Sequence, residues 1–416
     1  MSPEPFIVPH ETVAGCRSCG ASGLHPVLDL GTTPLADRLL TEQTLRQPEP
    51  FCPLTVWVCP ACSLMQIRET VPPEVLFGAD YPYFSSVSDA LMHHFRGTVD
   101  AALARHPVDR SGLVIELASN DGYLLRHYVE AGIPALGIDP AAGPVEVARK
   151  RGVETLHAFF TRELGQDLAS GGRRADIVHA NNVLAHVADT NGFVAGIATI
   201  LKDDGLAVIE CPYVRDLVDA CEFDTIYHQH LCYFSVTALD ALFRRHGLYL
   251  VDVERVPIHG GTLRLFLTKR DAPGATVGQL LAEERALGLD RPAYFDDFAD
   301  RVRALRDSLQ AMFAKIRSEG GRVAGYGAAA KACTLLAYTG VGPYLECLVD
   351  RSGFKQGRYF PGCHLPIRHP DWLLESQPDY TLLLPWNFSA EIMDQQAEYR
   401  RRGGKFIVPV PSPEIV

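Results

Sequence analysis

Two cysteine pairs, Cys16/Cys19 and Cys59/Cys62, are each spaced CxxC. Such a knuckle lets two thiolates reach one metal from a tight turn, and two knuckles complete a tetrahedral zinc site. Four sulfurs close the coordination shell, so the expected zinc is structural. It would supply folding energy to a stretch too turn-rich to build much core. Cys52 is a substitute ligand at poorer spacing, and a redox role for one CxxC pair is the competing reading. The rest of the 11 cysteines are scattered in no disulfide-like pattern.

A second group lies where an apolar run turns into a helical one: Glu116, Ala118, Asn120 and Gly122 in "IELASNDGYLL", then Asp139 at the end of "PALGID". Small residues let backbone approach a ligand, and a helix start offers free amides. A carboxylate at the second strand end can accept both ribose hydroxyls of an adenosine. With glycine sparse in the loop, the pattern suits S-adenosylmethionine (SAM) better than a dinucleotide. Asn181 and Asn182, after "ADIVHA", would face the same crevice, and Phe160 could cover an adenine face or simply fill core.

A third group is "FDTIYHQHLCYFS", which gathers Tyr227, His228, Gln229 and His230. A metal reading of His228 and His230 lacks a suitably spaced carboxylate or thiol. A general-base reading needs one neutral imidazole near an acidic C–H. His186, in "NNVLAHV", follows another strand and could face the same crevice. A fourth group, Gly325-Tyr-Gly327-Ala-Ala-Ala330 with Asp350 downstream, reads as G-x-G-x-x-A and by itself suggests NAD. Lys331, Lys355 and Arg358 could meet a diphosphate, and "HGGTLR", with His259 to Arg264, could approach the cleft.

These groups need scaffolds to hold them. Residues 1–75 are turn- and proline-rich. Strand and helix patterns alternate from about 110 to 255 and again from about 322, separated by amphipathic helices. This is the rhythm of doubly wound α/β sheets, which bind at the carboxyl ends of their strands. The expected fold is α/β with three parts: a small zinc-binding N-terminal module (1–75), a Rossmann-like SAM domain (76–270) and a second Rossmann-like domain (271–416). A net charge of -11 with no basic run argues against a nucleic-acid partner. With no membrane-length apolar window and no signal-like start, the expected setting is the cytoplasm, as a monomer or weak homo-oligomer.

Taken with "YPYFSSVSDAL", "HGGTLR", "GYGAAAKACTLL", "FKQGRYFPGCHLPI" and "LLPWNF", these motifs resemble, in order and over most of the chain, the SAM-dependent C-methyltransferases of nucleotide-linked 4-keto deoxysugars. The resemblance implies a zinc module, a SAM domain and a C-terminal domain holding the nucleotide of a dTDP-linked sugar. It implies methylation at a carbon beside the ketone, often the third, in routes to branched, often antibiotic, deoxysugars. The chemistry would be proton abstraction to an enolate, then in-line attack on the SAM methyl. By similarity His230 is the base, Tyr227 a neighbouring donor, and Tyr81 and His186 further active-site groups. His228, Gly327, Lys331, Lys355 and Arg358 would serve the substrate side. The family's Tyr-His-Glu-His segment departs here to Gln229, which removes a charge beside the histidines. The rivals are a methyltransferase of the same fold acting on a non-sugar acceptor, an NAD-dependent oxidoreductase using the Gly325 loop, and a catalytically silent binding protein.

Overall fold

The computed structural model describes residues 4–77, 89–258 and 260–416, with the side chains of 89 and 90 excluded. Tyr81 and His259 therefore lie outside the described residues.

In the N-terminal part, strands β1 (His25–Pro34), β2 (Pro50–Val58) and β3 (Met65–Ile67) form an antiparallel meander. Along β2 every second residue is buried, the period of a strand with one covered face. The sheet does not end with the module: Cys232–Tyr233, from the histidine-rich segment, pairs antiparallel with β3.

The central sheet is built from β4 (Val114–Leu117), β5 (Ala135–Asp139), β6 (Glu154–His157), β7 (Ala175–Asn181), β8 (Leu201–Pro212), β9 (Tyr249–Val256) and β10 (Thr262–Thr268). Their order is β9-β10-β8-β7-β4-β5-β6. The strands from β4 to β8 run parallel, while β10 runs antiparallel to both β8 and β9. β4, β5 and β7 are almost wholly buried, as parallel strands covered on both faces must be. The chain order reverses between β4 and β7, and that switch point is where such a sheet opens a ligand crevice.

A second sheet orders β13-β12-β11-β14-β15-β16 from β11 (Val323–Tyr326), β12 (Leu345–Val349), β13 (Ile367–Arg368), β14 (Tyr380–Leu383), β15 (Lys405–Val408) and β16 (Glu414–Ile415). All neighbours are parallel except the last pair. The helix Phe298–Ser318 precedes it and buries Phe298, Val302, Leu305, Leu309, Phe313 and Ile316, a stripe at helical spacing.

The N-terminal module touches both larger parts. Asn191 donates to the carbonyls of Arg17 and Ser18 at 3.0 and 2.9 Å. Leu40 and Tyr359 exchange backbone hydrogen bonds, and His364 meets Glu49 at 2.8 Å. Among the described residues no helix is long and apolar enough to cross a membrane.

Candidate active site

The turn after β4 is conformationally costly. Ala118, Asn120 and, beyond β7, Asn182 all have positive φ (56°, 47° and 51°), a region non-glycine residues avoid. Three such residues around one crevice mark a loop shaped for something other than stability. Gly122 (φ 75°) continues the turn, and a Cβ there would press on Val153.

Asp139 closes this loop. Its carboxylate accepts from the Asn120 and Ala141 amides, each at 2.8 Å. Glu116 is fully buried, and neither oxygen has a hydrogen-bond partner. Burial pushes its carboxyl well above the usual carboxylate range; the neighbouring Tyr123 hydroxyl and Asn181 amide oppose the rise, and the Asp139 and Asp121 charges add to it. Both side-chain atoms of Asn181 and the Asn182 oxygen are likewise buried without partners. Orphaned buried polar atoms are rare, and together they form a donor and acceptor set that a polar ligand would satisfy. The set suits the ribose and amino-acid ends of SAM. Phe160 packs edge-on against Phe193, with centroids 5.5 Å apart, and over Gly196.

The histidine-rich segment forms a tight turn, His230 N–H donating to the Tyr227 carbonyl. His230 Nδ1 lies 2.8 Å from the Thr225 carbonyl oxygen. A carbonyl only accepts, so Nδ1 carries the proton and Nε2 keeps the basic lone pair. The Tyr227 hydroxyl donates to that Nε2 at 2.9 Å. The half-buried His186 ring stands edge-on to His230, with centroids 4.7 Å apart. Desolvation lowers the His186 pKa to about 4, so it is neutral at neutral pH.

The structure thus brings together Tyr227, His230 and His186. It places His228 elsewhere: that ring is buried against the N-terminal module, donating to the Pro53 carbonyl at 3.0 Å. Gln229 is also buried, and Asp37 of the N-terminal module lies beside it.

In the second sheet, a Cβ at Gly325 would collide with Leu348, and Gly327 (φ 90°) turns the chain against Pro385. Asp350 accepts from the Ala328 and Ser352 amides, each at 2.8 Å. Lys355 donates to the Ala328 carbonyl at 2.8 Å. Lys331 donates to Asn387 at 2.7 Å and rests 4.0 Å over the Trp386 ring. Burial lowers its pKa, while Asp224 and Glu222 nearby oppose the shift. Both lysines are therefore spent on protein groups. Arg358 has no ion-pair partner among the described residues.

Sequence reasoning missed three features. Thr334 donates to the Ile226 carbonyl at 2.6 Å, which docks the segment before His230 onto the helix Ala330–Thr339. No local signal marks that contact. Trp386 donates to buried Asp224 at 2.8 Å in the same interface. Glu210, fully buried at the end of β8, gathers His94 (2.7 Å), Thr98 (3.0 Å) and Arg264 (2.6 Å). A charged residue closing the apolar run "LAVIE" was the available clue, and Arg264 of the "HGGTLR" motif is its counter-ion.

The four predicted zinc thiols converge, with all Sγ atoms within 4.8 Å of one another. Cys16 and Cys62 are 3.5 Å apart, as are Cys19 and Cys59, close to the sulfur spacing of a tetrahedral zinc site. The Ser18 amide points at Cys16 Sγ (3.4 Å), the N–H···S contact of a metal knuckle. Cys52 lies apart in a small cluster with Val8, Leu35 and Val71.

This sheet order, with its antiparallel β10 and its crevice at the Glu116 loop, defines a SAM-dependent methyltransferase fold. The chain matches the families described as putative zinc binding domain (16–77), methyltransferase domain (92–253) and C-methyltransferase C-terminal domain (257–411). It is 38% identical over 405 residues to the C-methyltransferase NovU of Streptomyces niveus, covering 96% of each chain. A ubiquinone biosynthesis O-methyltransferase of Azorhizobium caulinodans is 27% identical over 125 residues, 30% of this chain and 47% of that one. Among solved structures, the PH0226 protein from Pyrococcus horikoshii matches at 14% identity and TM-score 0.37, covering 46% of this chain and 96% of that one. A complex between the Haloferax volcanii Trm112 methyltransferase activator and its putative methyltransferase matches at 21% identity and TM-score 0.36, covering 44% and 92%. The chain belongs to the C-methyltransferase family that joins a zinc-binding domain, a methyltransferase domain and a C-methyltransferase C-terminal domain. It is a SAM-dependent C-methyltransferase.

Proposed function

We propose that the acceptor is a nucleotide-linked 4-keto deoxysugar, of the dTDP type, methylated at the carbon beside its ketone, in a route to branched deoxysugars such as those of antibiotics. The observation that carries this reading is the Thr225–His230–Tyr227 chain. C-methylation needs a carbon nucleophile, and a ketone supplies one once a base removes the adjacent proton. The Tyr227 hydroxyl swings from His230 Nε2 to the ketone oxygen, which frees the lone pair that the Thr225 bond keeps on Nε2, and Nε2 takes that proton. The same hydroxyl, now on that oxygen, stabilises the enolate as it forms. The enolate carbon forms its bond to the methyl as the sulfur–methyl bond breaks, releasing S-adenosylhomocysteine, and the imidazolium returns its proton to water.

In the same reading zinc is held by Cys16, Cys19, Cys59 and Cys62, and SAM by the Glu116–Asp139 loop with Asn181 and Asn182. Its domains divide near 75 and 270. His186, neutral, borders the ketone. The nucleotide side rests on Arg358 and the Gly327 turn, since Lys331 and Lys355 are internally bonded.

The test is incubation with a dTDP-linked 4-keto-6-deoxyhexose in deuterated water. With SAM, the sugar is expected to gain one methyl. With S-adenosylhomocysteine instead, the hydrogen beside the ketone is expected to exchange for deuterium. His230→Asn should slow both by roughly 10²–10⁴-fold. Undiminished exchange in that variant would remove His230 as the base.

A further inference from the structure

We propose that the hairpin carrying Cys59 and Cys62 is a positioning element for His230, so that the metal site governs proton abstraction as well as folding. The proposal rests on the base assignment above.

The connection is short and continuous. The Cys59 amide donates to Leu64 and the Ser63 amide to Cys59, which makes the second knuckle (2.9 and 2.8 Å). The chain leaves it directly into β3. There Met65 pairs with Tyr233 and Gln66 with Cys232, while the Ile67 amide donates to the Leu231 carbonyl at 3.0 Å. The next residue back is His230. Its carbonyl accepts the Tyr233 hydroxyl at 2.9 Å, so the strand that β3 holds also holds the turn. The Leu231 amide donates to the Ala185 carbonyl at 2.7 Å, beside His186. Both imidazoles thus hang from one backbone junction.

Gln66 ties in the first knuckle. Fully buried, it accepts the Arg17 amide, between Cys16 and Cys19, at 2.8 Å. A two-residue pairing has little stability of its own, and a one-residue slip would reverse which side chains face the core. No other element of the described residues offers Cys232–Tyr233 a strand partner.

Hydrogen–deuterium exchange of the zinc-loaded enzyme, before and after chelation, tests this, with zinc content measured in parallel. Chelation is expected to deprotect amides 63–67 and 231–233 together. Affinity for S-adenosylhomocysteine should stay within about twofold while proton exchange of the 4-keto sugar falls on the order of 100-fold. Protection retained at 231–233 while 63–67 are lost would overturn the proposal, as would unchanged sugar exchange. Should chelation unfold the whole chain, Gln66→Met decides. It is expected to keep zinc, lose protection at 231–233 and lower kcat about tenfold with KM little changed. Wild-type kcat and protection in that variant would overturn the proposal. Amide coupling needs no turnover, so an active His230→Asn would sink the base assignment alone.

Discussion

The two Rossmann-like sheets carry the same device and use it differently. In each, an aspartate at or just past the end of the second strand accepts one amide from the first strand-to-helix loop and one from its own following turn. These are Asn120 and Ala141 for Asp139, Ala328 and Ser352 for Asp350, all at 2.8 Å. Around Asp139 the remaining polar groups are left over: Glu116 and Asn181 are buried with orphaned atoms, as is the side-chain oxygen of half-buried Asn182. Around Asp350 most of them answer one another, Lys355 capping Ala328 and Lys331 capping Asn387, with the Tyr326 hydroxyl left over. A loop whose polar groups are already paired gains little from a ligand, whereas one with orphans gains the full cost of their desolvation. A glycine-rich fingerprint therefore marks a turn geometry. Occupancy is decided by which polar atoms the protein leaves unpaired.

The sharpest way to break this comparison is to remove each aspartate in turn. Asp139→Ala should weaken S-adenosylhomocysteine binding by about 2–3 kcal/mol, roughly 30- to 150-fold, because it frees the loop and deletes the ribose acceptor. Asp350→Ala should leave that affinity within about twofold and lower only thermal stability. Calorimetric titration and melting of the two variants check both. Equal losses of affinity would mean that the lobes do not differ as argued.

A second measurement sharpens what orphaning costs. Burial raises the Glu116 pKa well above 4.5, so the folded protein keeps a proton that the unfolded chain releases. That contribution to stability is fully present below the unfolded value and is lost as pH rises through the folded one. Glu116→Gln cannot titrate. The ligand-free variant should therefore gain in melting temperature over wild type as pH rises from about 4.5 toward neutrality. The same variant should bind S-adenosylhomocysteine about tenfold more weakly, having lost a charge-capable acceptor. A melting difference that is flat with pH would show Glu116 to be ionised in the folded state.

How far these features could be read in advance follows the range of the interactions. The CxxC spacing is local chemistry, and the four thiols meet. The alternation of strand and helix patterns is local too, and it yields both sheets with Asp139 and Asp350 at or just past the ends of second strands. His228 shows the limit. Two residues from His230, it was grouped with the substrate, yet the turn sends its ring to Pro53, far away in sequence. Which side of a tight turn a side chain takes is set by what packs there. The pairing of β3 with Cys232–Tyr233 is non-local in the same way, and nothing in either segment announces it. The lysines near Gly327 look like phosphate ligands because their charge is visible in the sequence, whereas their partners, Asn387 and the Ala328 carbonyl, are not.

The smallest expected effect probes how the second lobe serves the first. With the Tyr326 hydroxyl as the one unpartnered buried side-chain atom of its Gly325–Ala330 loop among the described residues, it still touches the chemistry through Thr334, whose hydroxyl fixes the Ile226 carbonyl one residue past the carbonyl that orients His230. Thr334→Val keeps the shape and removes that bond, leaving a buried carbonyl unpaired at a cost of about 1–2 kcal/mol. Most of that cost should fall on the orientation of His230, because the helix around Thr334 is otherwise held by its own buried face. The expected result is a several-fold drop in kcat, unchanged affinity for S-adenosylhomocysteine and a small fall in melting temperature. If melting fell with kcat untouched, the contact would be mere packing, and the second lobe's part in the reaction would reduce to holding the acceptor.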